Sequence, residues 1–268
     1  MLNRFKAIFS DLDGTLVGKD FKISPCLKKA IYIWCKSGGH FSIITGRGLT
    51  PPLINIFEEL NLSDPQVING GAEIIDPKER KIIFGNYIEA GIAHKIIKLL
   101  IKLNMNFVVV QKNKLYSYKK INKKNIHYEK FSNLDNYFNI AKIRILIKKR
   151  DFNKKIKEFK SECLLKGYHI SIIQNKTPIS NNYDITANNV NKYFAALKIL
   201  KLIDVDRKET VGIGDQENDY FLLKACGFKI VFENSPQKLK KIANVILPFK
   251  KNSVANLIRK LTIKKFIT

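Results

Sequence analysis

Phe5-Lys6-Ala7-Ile8-Phe9-Ser10-Asp11-Leu12-Asp13-Gly14-Thr15 is the stretch that decides the fold of this chain. Its apolar run reads as a short strand over 5–10. It leads without a break into two carboxylates one residue apart and then into a Gly-Thr turn. A strand buried on both faces of a parallel sheet is apolar throughout rather than alternating. Open sheets of that kind build their sites just beyond the carboxyl ends of the strands. The acidic pair therefore stands where such a sheet does its chemistry.

Working outward, the same grammar repeats. Ser24-Pro25 is an N-cap followed by Pro at the first helical position. The helix it opens carries Ile31, Trp34 and Cys35 on its inner face and stops at Gly38-Gly39. A strand over 40–44 ends in Thr45-Gly46-Arg47. Thr50-Pro51 is expected to cap a helix over 53–60, and Val67-Ile68 leads into Asn69-Gly70-Gly71. Ile74-Ile75 and the apolar run 82–84 flank a polar turn and read as a hairpin. Towards the C-terminus come a helix over 190–202 and a strand over 209–213. That strand runs into Gly214-Asp215-Gln216-Glu217-Asn218-Asp219. A helix over 220–225, strands over 228–232 and 245–247, and a helix over 254–261 close the chain. The expected fold class is α/β, a Rossmann-like parallel sheet core with helices on both faces.

Between 85 and 184 the texture changes. Helices are expected over 90–103 and 152–166, and strands over 107–111, 141–147 and 168–173. No element is assigned to the polar, Lys- and Asn-rich stretch 112–139. This segment holds 21 Lys and Arg against 7 Asp and Glu. It reads as an inserted α+β domain, leaving a core of 1–84 with 185–268 around an insert of 85–184.

Composition removes several function classes. The 268 residues are 45% hydrophobic and 10% aromatic, enough core material to exclude disorder. No window of about 18 residues is free of charge, which excludes a helical membrane span. A net charge of +25 raises nucleic acid or an acidic surface as partner. The excess, however, comes from 41 Lys against 7 Arg, beside 25 Asn. Lys and Asn share A/T-rich codons, whereas readers of phosphate and base edges favour the planar fork of Arg. Nucleic acid is set aside as a partner on that ground. Cys26, Cys35, Cys163 and Cys226 are widely spaced, with no CxxC pair, and read as reduced thiols of a cytoplasmic protein. The first apolar run meets acidic residues at once, which leaves no room for a cleavable leader. His40, His94, His127 and His169 are scattered without metal-ligand spacing, and no GxGxxG opens the first helix.

Four motifs then follow strand ends. Asp11 and Asp13, two residues apart, supply a carboxylate that can attack phosphorus and another that can serve as acid and then base. Taken alone, such a pair is also a common turn or helix cap. Thr45-Gly46-Arg47 offers a hydroxyl and a glycine backbone N–H to a phosphoryl oxygen. Lys192 offers a fixed ammonium, though one lysine among 41 signals little by itself. The acidic run after 213 suits Mg2+, a hard cation that takes oxygen ligands. Together the four are consistent, because a dianionic phosphate can approach a carboxylate only when nearby cations offset the repulsion.

In order and spacing the set resembles the haloacid dehalogenase (HAD) superfamily, with its DxDGT, Thr-Gly-Arg, lysine and GDxxND motifs. The insert of about 100 residues between the second and third motifs, together with Asn69-Gly70, is similar to the Cof-type phosphatases of subfamily IIB, which carry a C2 cap. So is the run from Cys226-Gly227 to Glu233-Asn234-Ser235. The resemblance implies Asp11 as nucleophile and Mg2+ ligand, and Asp13 as general acid and base that also lends its backbone carbonyl to the metal. It implies Asp215 as a third metal ligand and Asp219 as a residue that supports the metal or binds it through water. Thr45, Gly46, Lys192 and Asn218 are implied to hold the phosphoryl group, with Arg47 and Asn69 lining the substrate site. Two positions depart from the family pattern. Tyr193 stands where Gly usually follows the lysine, and Asn252-Ser253 stands where Asp-Gly is usual.

The expected function is a Mg2+-dependent phosphatase acting on small organic phosphate monoesters, such as sugar phosphates, through an aspartyl-phosphate. A phosphomutase using the same intermediate is the enzymatic alternative. A basic nucleic-acid-binding protein on the same fold is the alternative of another class, although it has no use for four acidic residues gathered at strand ends. The expected partner is a small phosphorylated metabolite, with no membrane.

Overall fold

The structure, a computed structural model, describes residues 5–18, 20–121, 127–147, 152–176 and 181–266. The chain divides into two compact units, Met1–Phe84 with Asn191–Thr268, and Gly85–Val190. In chain order the elements begin with β1 (Ala7–Ser10), α1 (Pro25–Lys36), β2 (His40–Ile43), α2 (Pro51–Glu59), β3 (Gln66–Ile68), β4 (Glu73–Asp76) and β5 (Lys81–Gly85). They continue through α3 (Ala90–Lys102), β6 (Asn106–Gln111), β7 (Lys114–Ser117), β8 (Glu129–Lys130), β9 (Ile140–Leu146), α4 (Phe152–Leu165), β10 (Ile170–Lys176) and β11 (Asn181–Ala187). The chain closes with α5 (Lys192–Leu202), β12 (Thr210–Ile213), α6 (Tyr220–Ala225), β13 (Phe228–Phe232), α7 (Gln237–Lys240), β14 (Val245–Leu247) and α8 (Ser253–Phe266).

In the first unit five strands form a parallel sheet in the order β14-β13-β12-β1-β2. Ser10 pairs in register with both Ile213 and Ile43, so β1, β2 and β12 end together at one sheet edge. Alternation along the strands feeds two cores. Ile8, Phe41, Ile43, Val211 and Ile213 pack with α1 and α8, while Ala7, Phe9 and Ile44 pack with α5 and α6. The apolar run of the opening stretch is thus explained by burial on both faces. Trp34 on α1 is fully buried, with its ring N–H on the carbonyl of His40 at 2.9 Å. Its truncation to Ala would cost about 3–5 kcal/mol. Ser24 caps α1 as expected, its hydroxyl accepting from the Leu27 N–H at 3.2 Å. Thr50 occupies the N-cap of α2 without a side-chain hydrogen bond, leaving Pro51 and Pro52 to set that helix start.

The second unit is a six-stranded sheet in the order β10-β11-β9-β6-β7-β8, antiparallel except for the pairing of β7 with β8. One of its faces packs on α3 and α4 through Ile96, Ile97, Leu100, Phe107, Ile143, Phe159 and Ile185. Asp184 is buried between Arg144, which grips both its oxygens at 2.6 and 2.7 Å, and Lys142 at 3.6 Å. Those cations outweigh burial and hold the carboxyl below its usual range.

Element types agree with the sequence reading, and the differences have local causes. β7 and β8 lie in the polar stretch to which no element was assigned, because their few apolar positions leave no periodic signal. Part of that stretch, 122–126, lies outside the described residues. β11 continues to Ala187 and pairs with β10 along its length, so the second unit reaches Val190 rather than 184. The helix expected from 190 begins at Lys192, capped by the Asn191 side chain. Asn252, at a departure from the family pattern, has φ +68 and accepts from the Ser24 hydroxyl at 3.1 Å. Asn tolerates that left-handed backbone better than most residues.

Candidate active site

The common edge where β1, β2 and β12 end carries the chemistry. Asp11 directly follows β1 and is buried, its N–H donating to the carbonyl of Ile213 at 2.9 Å. Lys192 opens α5 and is also buried; its Nζ donates to Asp11 Oδ1 and, at 2.7 Å, to Asp219 Oδ1. The second oxygen of Asp219 accepts from the backbone N–H groups of Asp215 and Gln216 at 3.0 and 2.9 Å. Carboxylate oxygens of Asp11, Asp215 and Asp219 lie within 4.8 Å of one another. Residues far apart in sequence thus meet at one point because the three strands share a register and end at the same edge.

Asp215 is held on both oxygens, by the Thr15 hydroxyl at 2.8 Å and by the Gln216 amide at 3.1 Å. Gly14 sits in the left-handed region at φ +85, and a Cβ there would stand 2.4 Å from Asp215 Oδ2. Only glycine lets the two turns approach so closely.

The electrostatics follow from three carboxylates around one ammonium. Burial, with the Asp219 charge added, pushes Asp11 well above the usual carboxylate range against the pull of Lys192. Burial and Asp219 likewise push Asp215 up to about 6, against the hydrogen bonds from Thr15 and Gln216. Burial works against the charge on Lys192, but Asp11 and Asp219 more than offset it and hold the ammonium above its ordinary range. The cluster is short of positive charge.

The other expected residues fall around this point. Asp13 is half exposed, and Arg47 grips both its oxygens, Nε to Oδ2 at 2.7 Å and Nη2 to Oδ1 at 2.6 Å. Thr45 is buried, and its hydroxyl accepts from the Arg47 N–H at 3.1 Å. Gly46 lies between them, with open space where a side chain would stand. Oδ1 of Asn218 is buried with no hydrogen-bond partner among the described residues. Asn69 is buried at φ +53; its N–H donates to the Arg47 carbonyl at 2.7 Å, and its Nδ2 donates to Glu73 at 2.6 Å. Gly71, at φ +112, backs onto the main chain of Asn191. The turn 69–71 therefore links the Thr45–Arg47 loop to the start of α5. Arg47 and Asn69, expected on substrate, are engaged here by protein carboxylates.

Several residues near the site were assigned no role from sequence. Thr15 was in view as the last residue of the opening stretch, and its hydroxyl was the available signal. Asn191 precedes a helix and is a strong N-cap type. Glu73, a lone acid before two Ile residues, is the kind of buried charge that needs a partner. Nothing in the sequence pointed to Phe21, whose ring lies 4.0 Å from the Arg47 guanidinium.

Comparison with known proteins bears on the family and the fold. A family model for haloacid dehalogenase-like hydrolases matches residues 8–258. A Buchnera aphidicola (Schizaphis graminum) protein bearing a provisional phosphatase name is 26% identical over 98% of both chains. Among solved structures, a haloacid dehalogenase-like hydrolase from Bacteroides thetaiotaomicron superposes with a TM-score of 0.82 at 19% identity, covering 96% of this chain and 99% of that one. The HAD subclass IIB sugar phosphatase BT4131 superposes with a TM-score of 0.76 at 18% identity, covering 96% and 99%.

Proposed function

This chain belongs to the haloacid dehalogenase-like hydrolases, and we propose that it is a Mg2+-dependent phosphatase that cleaves small organic phosphate monoesters through an aspartyl-phosphate on Asp11. The observation that carries the reading is the buried grouping of Asp11, Asp215 and Asp219 about a single ammonium from Lys192. A carboxylate so placed is a nucleophile whose approach to a phosphate is electrostatically prepared.

The donor set fits a divalent cation. The clustered side chains of Asp11, Asp215 and Asp219 offer carboxylate oxygens, the raised Asp11 and Asp215 mark a deficit of positive charge, and hard oxygen donors suit Mg2+. Asp11, Asp215 and the Asp13 backbone carbonyl would hold the ion, with Asp219 supporting through water. When bound, Mg2+ offsets charge on the phosphoryl oxygens and orients them.

The chain's own residues do the rest. Thr45, Gly46, Lys192 and Asn218 hold the phosphoryl oxygens, with Arg47 and Asn69 at the substrate's flank. Asp11 attacks phosphorus in line, the bond to the leaving oxygen breaks, and Asp13 gives that oxygen a proton. Asp13 then takes a proton from water as the water attacks phosphorus, which breaks the aspartyl–phosphorus bond and releases phosphate. The inserted unit we assign as the cap that selects the substrate. The fold shared with a sugar phosphatase supports sugar phosphates as the first class to try. Four free cysteines support a reducing, cytoplasmic setting. No helix among the described residues is long and apolar enough to cross a membrane.

Phosphate release from sugar phosphates, nucleotides and p-nitrophenyl phosphate, with and without Mg2+, tests the reading. We expect release that needs Mg2+ and falls by several orders of magnitude in a folded Asp11→Asn variant. Undiminished release by that variant would refute Asp11 as nucleophile. Isomerised sugar phosphate without free phosphate would assign a mutase instead.

A further inference from the structure

We propose that Glu73 is a positioning residue that holds the phosphoryl-binding loop 45–47 in place by acting through Asn69, an inference that rests on the phosphatase reading above. Glu73 opens β4 and pairs with Ile68 of β3. Alternation places it on the face of β4 that carries Ile75, which shares a core cluster with Ile68, Leu49 and Leu53. An apolar residue would be the cheaper occupant of such a place, since burying a carboxylate costs free energy that a partner must offset. Yet Glu73 is 1% exposed, and its Oε2 accepts from Asn69 Nδ2 at 2.6 Å. Departures of this kind from the local pattern gather at functional sites.

The backbone shows what the acid holds. Asn69, Gly70 and Gly71 have φ of +53, +74 and +112. Left-handed residues ordinarily occur singly, so a run of three needs support from outside itself. The bond between Glu73 and Asn69 spans that run and closes it. Held so, the turn donates two N–H groups to the loop, Asn69 to the Arg47 carbonyl at 2.7 Å and Gly70 to the Thr45 carbonyl at 3.0 Å. In a trans peptide the carbonyl and the following N–H lie in one plane and point in opposite directions. Fixing the Thr45 carbonyl therefore fixes the Gly46 N–H, and fixing the Arg47 carbonyl fixes the Gly48 N–H.

The chemistry makes the role measurable. Thr45 and Gly46 meet the phosphoryl group, which every ester and inorganic phosphate share. A displaced loop therefore weakens all of them by one common factor, whatever the leaving group. Mg2+ is spared, because Asp215 is steadied separately by Thr15 and Gln216. A variant that is merely less stable behaves differently. It loses active protein, which lowers kcat and leaves inhibition by phosphate unmoved.

The test uses Glu73→Leu, Glu73→Met and Glu73→Gln in the full chain with Mg2+, on p-nitrophenyl and phenyl phosphate, with inorganic phosphate as competitive inhibitor. For the Leu and Met variants, which lack the acceptor, we expect the phosphate Ki to rise about tenfold and kcat/KM to fall about tenfold on both esters. Glu73→Gln keeps an acceptor of the same reach, and its Ki should stay within about twofold of wild type. The Mg2+ concentration for half activation should not move in any of them. An unmoved Ki in the Leu and Met variants, a Gln variant as impaired as Leu, or a shifted Mg2+ requirement would overturn the role. Should Glu73→Leu fold poorly, Glu73→Met decides, since its unbranched chain follows the path of Glu. An active wild type whose variants bind phosphate normally sinks the positioning role alone. A wild type inactive on every ester sinks the phosphatase reading and this role together.

Discussion

The hydroxyl of Thr15 donates to Oδ1 of Asp215 at 2.8 Å, tying the turn after β1 to the turn after β12 across two hundred residues of sequence. Replacing Thr15 by Val keeps the shape and removes the donor. We expect a loss of about 1 kcal/mol in stability. Divalent-cation affinity should fall about tenfold, as is usual when the partner of a metal ligand is removed. Denaturant midpoints and Mg2+-dependent melting shifts measure both; an unchanged cation titration would show that this hydrogen bond does not orient Asp215.

Gly14→Ala attacks the same junction sterically. The new Cβ would meet Asp215 Oδ2 at 2.4 Å, and the backbone at φ +85 disfavours any side chain. The expected result is a folded protein destabilised by about 1–3 kcal/mol, with phosphate release lowered more than tenfold. Wild-type turnover in this variant would mean that Asp215 need not stay where it is.

Lys192→Met removes the only positive side chain that is hydrogen-bonded to the carboxylate cluster in the described residues. Asp11 and Asp219 would be left buried without their cation. Breaking such a pair costs about 3–5 kcal/mol near neutrality. Because the orphaned carboxylates can take up protons, the gap to wild type should narrow at about pH 5. A gap of the same size at both pH values argues against the ion pair as its source.

Stability without metal should depend on pH in an unusual direction. Asp215 titrates at about 6 when folded and near its ordinary value when unfolded, so the folded state binds the proton more tightly. Its contribution is therefore fully present below about pH 4 and is lost as the pH rises through about 6, some ~3 kcal/mol in all. Asp11 shifts in the same sense. Added Mg2+ competes with protons for these oxygens. The rise in Tm on adding Mg2+ should accordingly be small at about pH 5 and larger at about pH 7.5, and chelator should reverse it. A pH-independent rise would contradict a carboxylate site.

Much of the first unit was legible in advance because its signals are local. The apolar run before Asp11, the Ser24-Pro25 start of α1 and the strand before Gly214 state their structure within a few residues. The second unit was less legible. β7 and β8 have too few apolar positions to show a period, and β11 acquires its role only by pairing with β10 and β9. At the site, motif and order singled out Asp11, Asp13, Thr45, Lys192, Asn218 and the 215–219 acids, of which the structure gathers Asp11, Lys192, Asp215 and Asp219. Their hydrogen-bond partners could not be read in advance.

Sequence alone determined the α/β class, the order of the motifs and the expectation that acids gather at strand ends. All of these follow from hydrophobic period, turn chemistry and charge, which act over a few residues. The tertiary structure alone decided that Arg47 turns onto Asp13 under the ring of Phe21, that Asn69 pairs with Glu73, and that Thr15 steadies Asp215. Such choices depend on the shared register of β1, β2 and β12 and on which side-chain directions remain open once the helices are packed. No short stretch of chain contains that information.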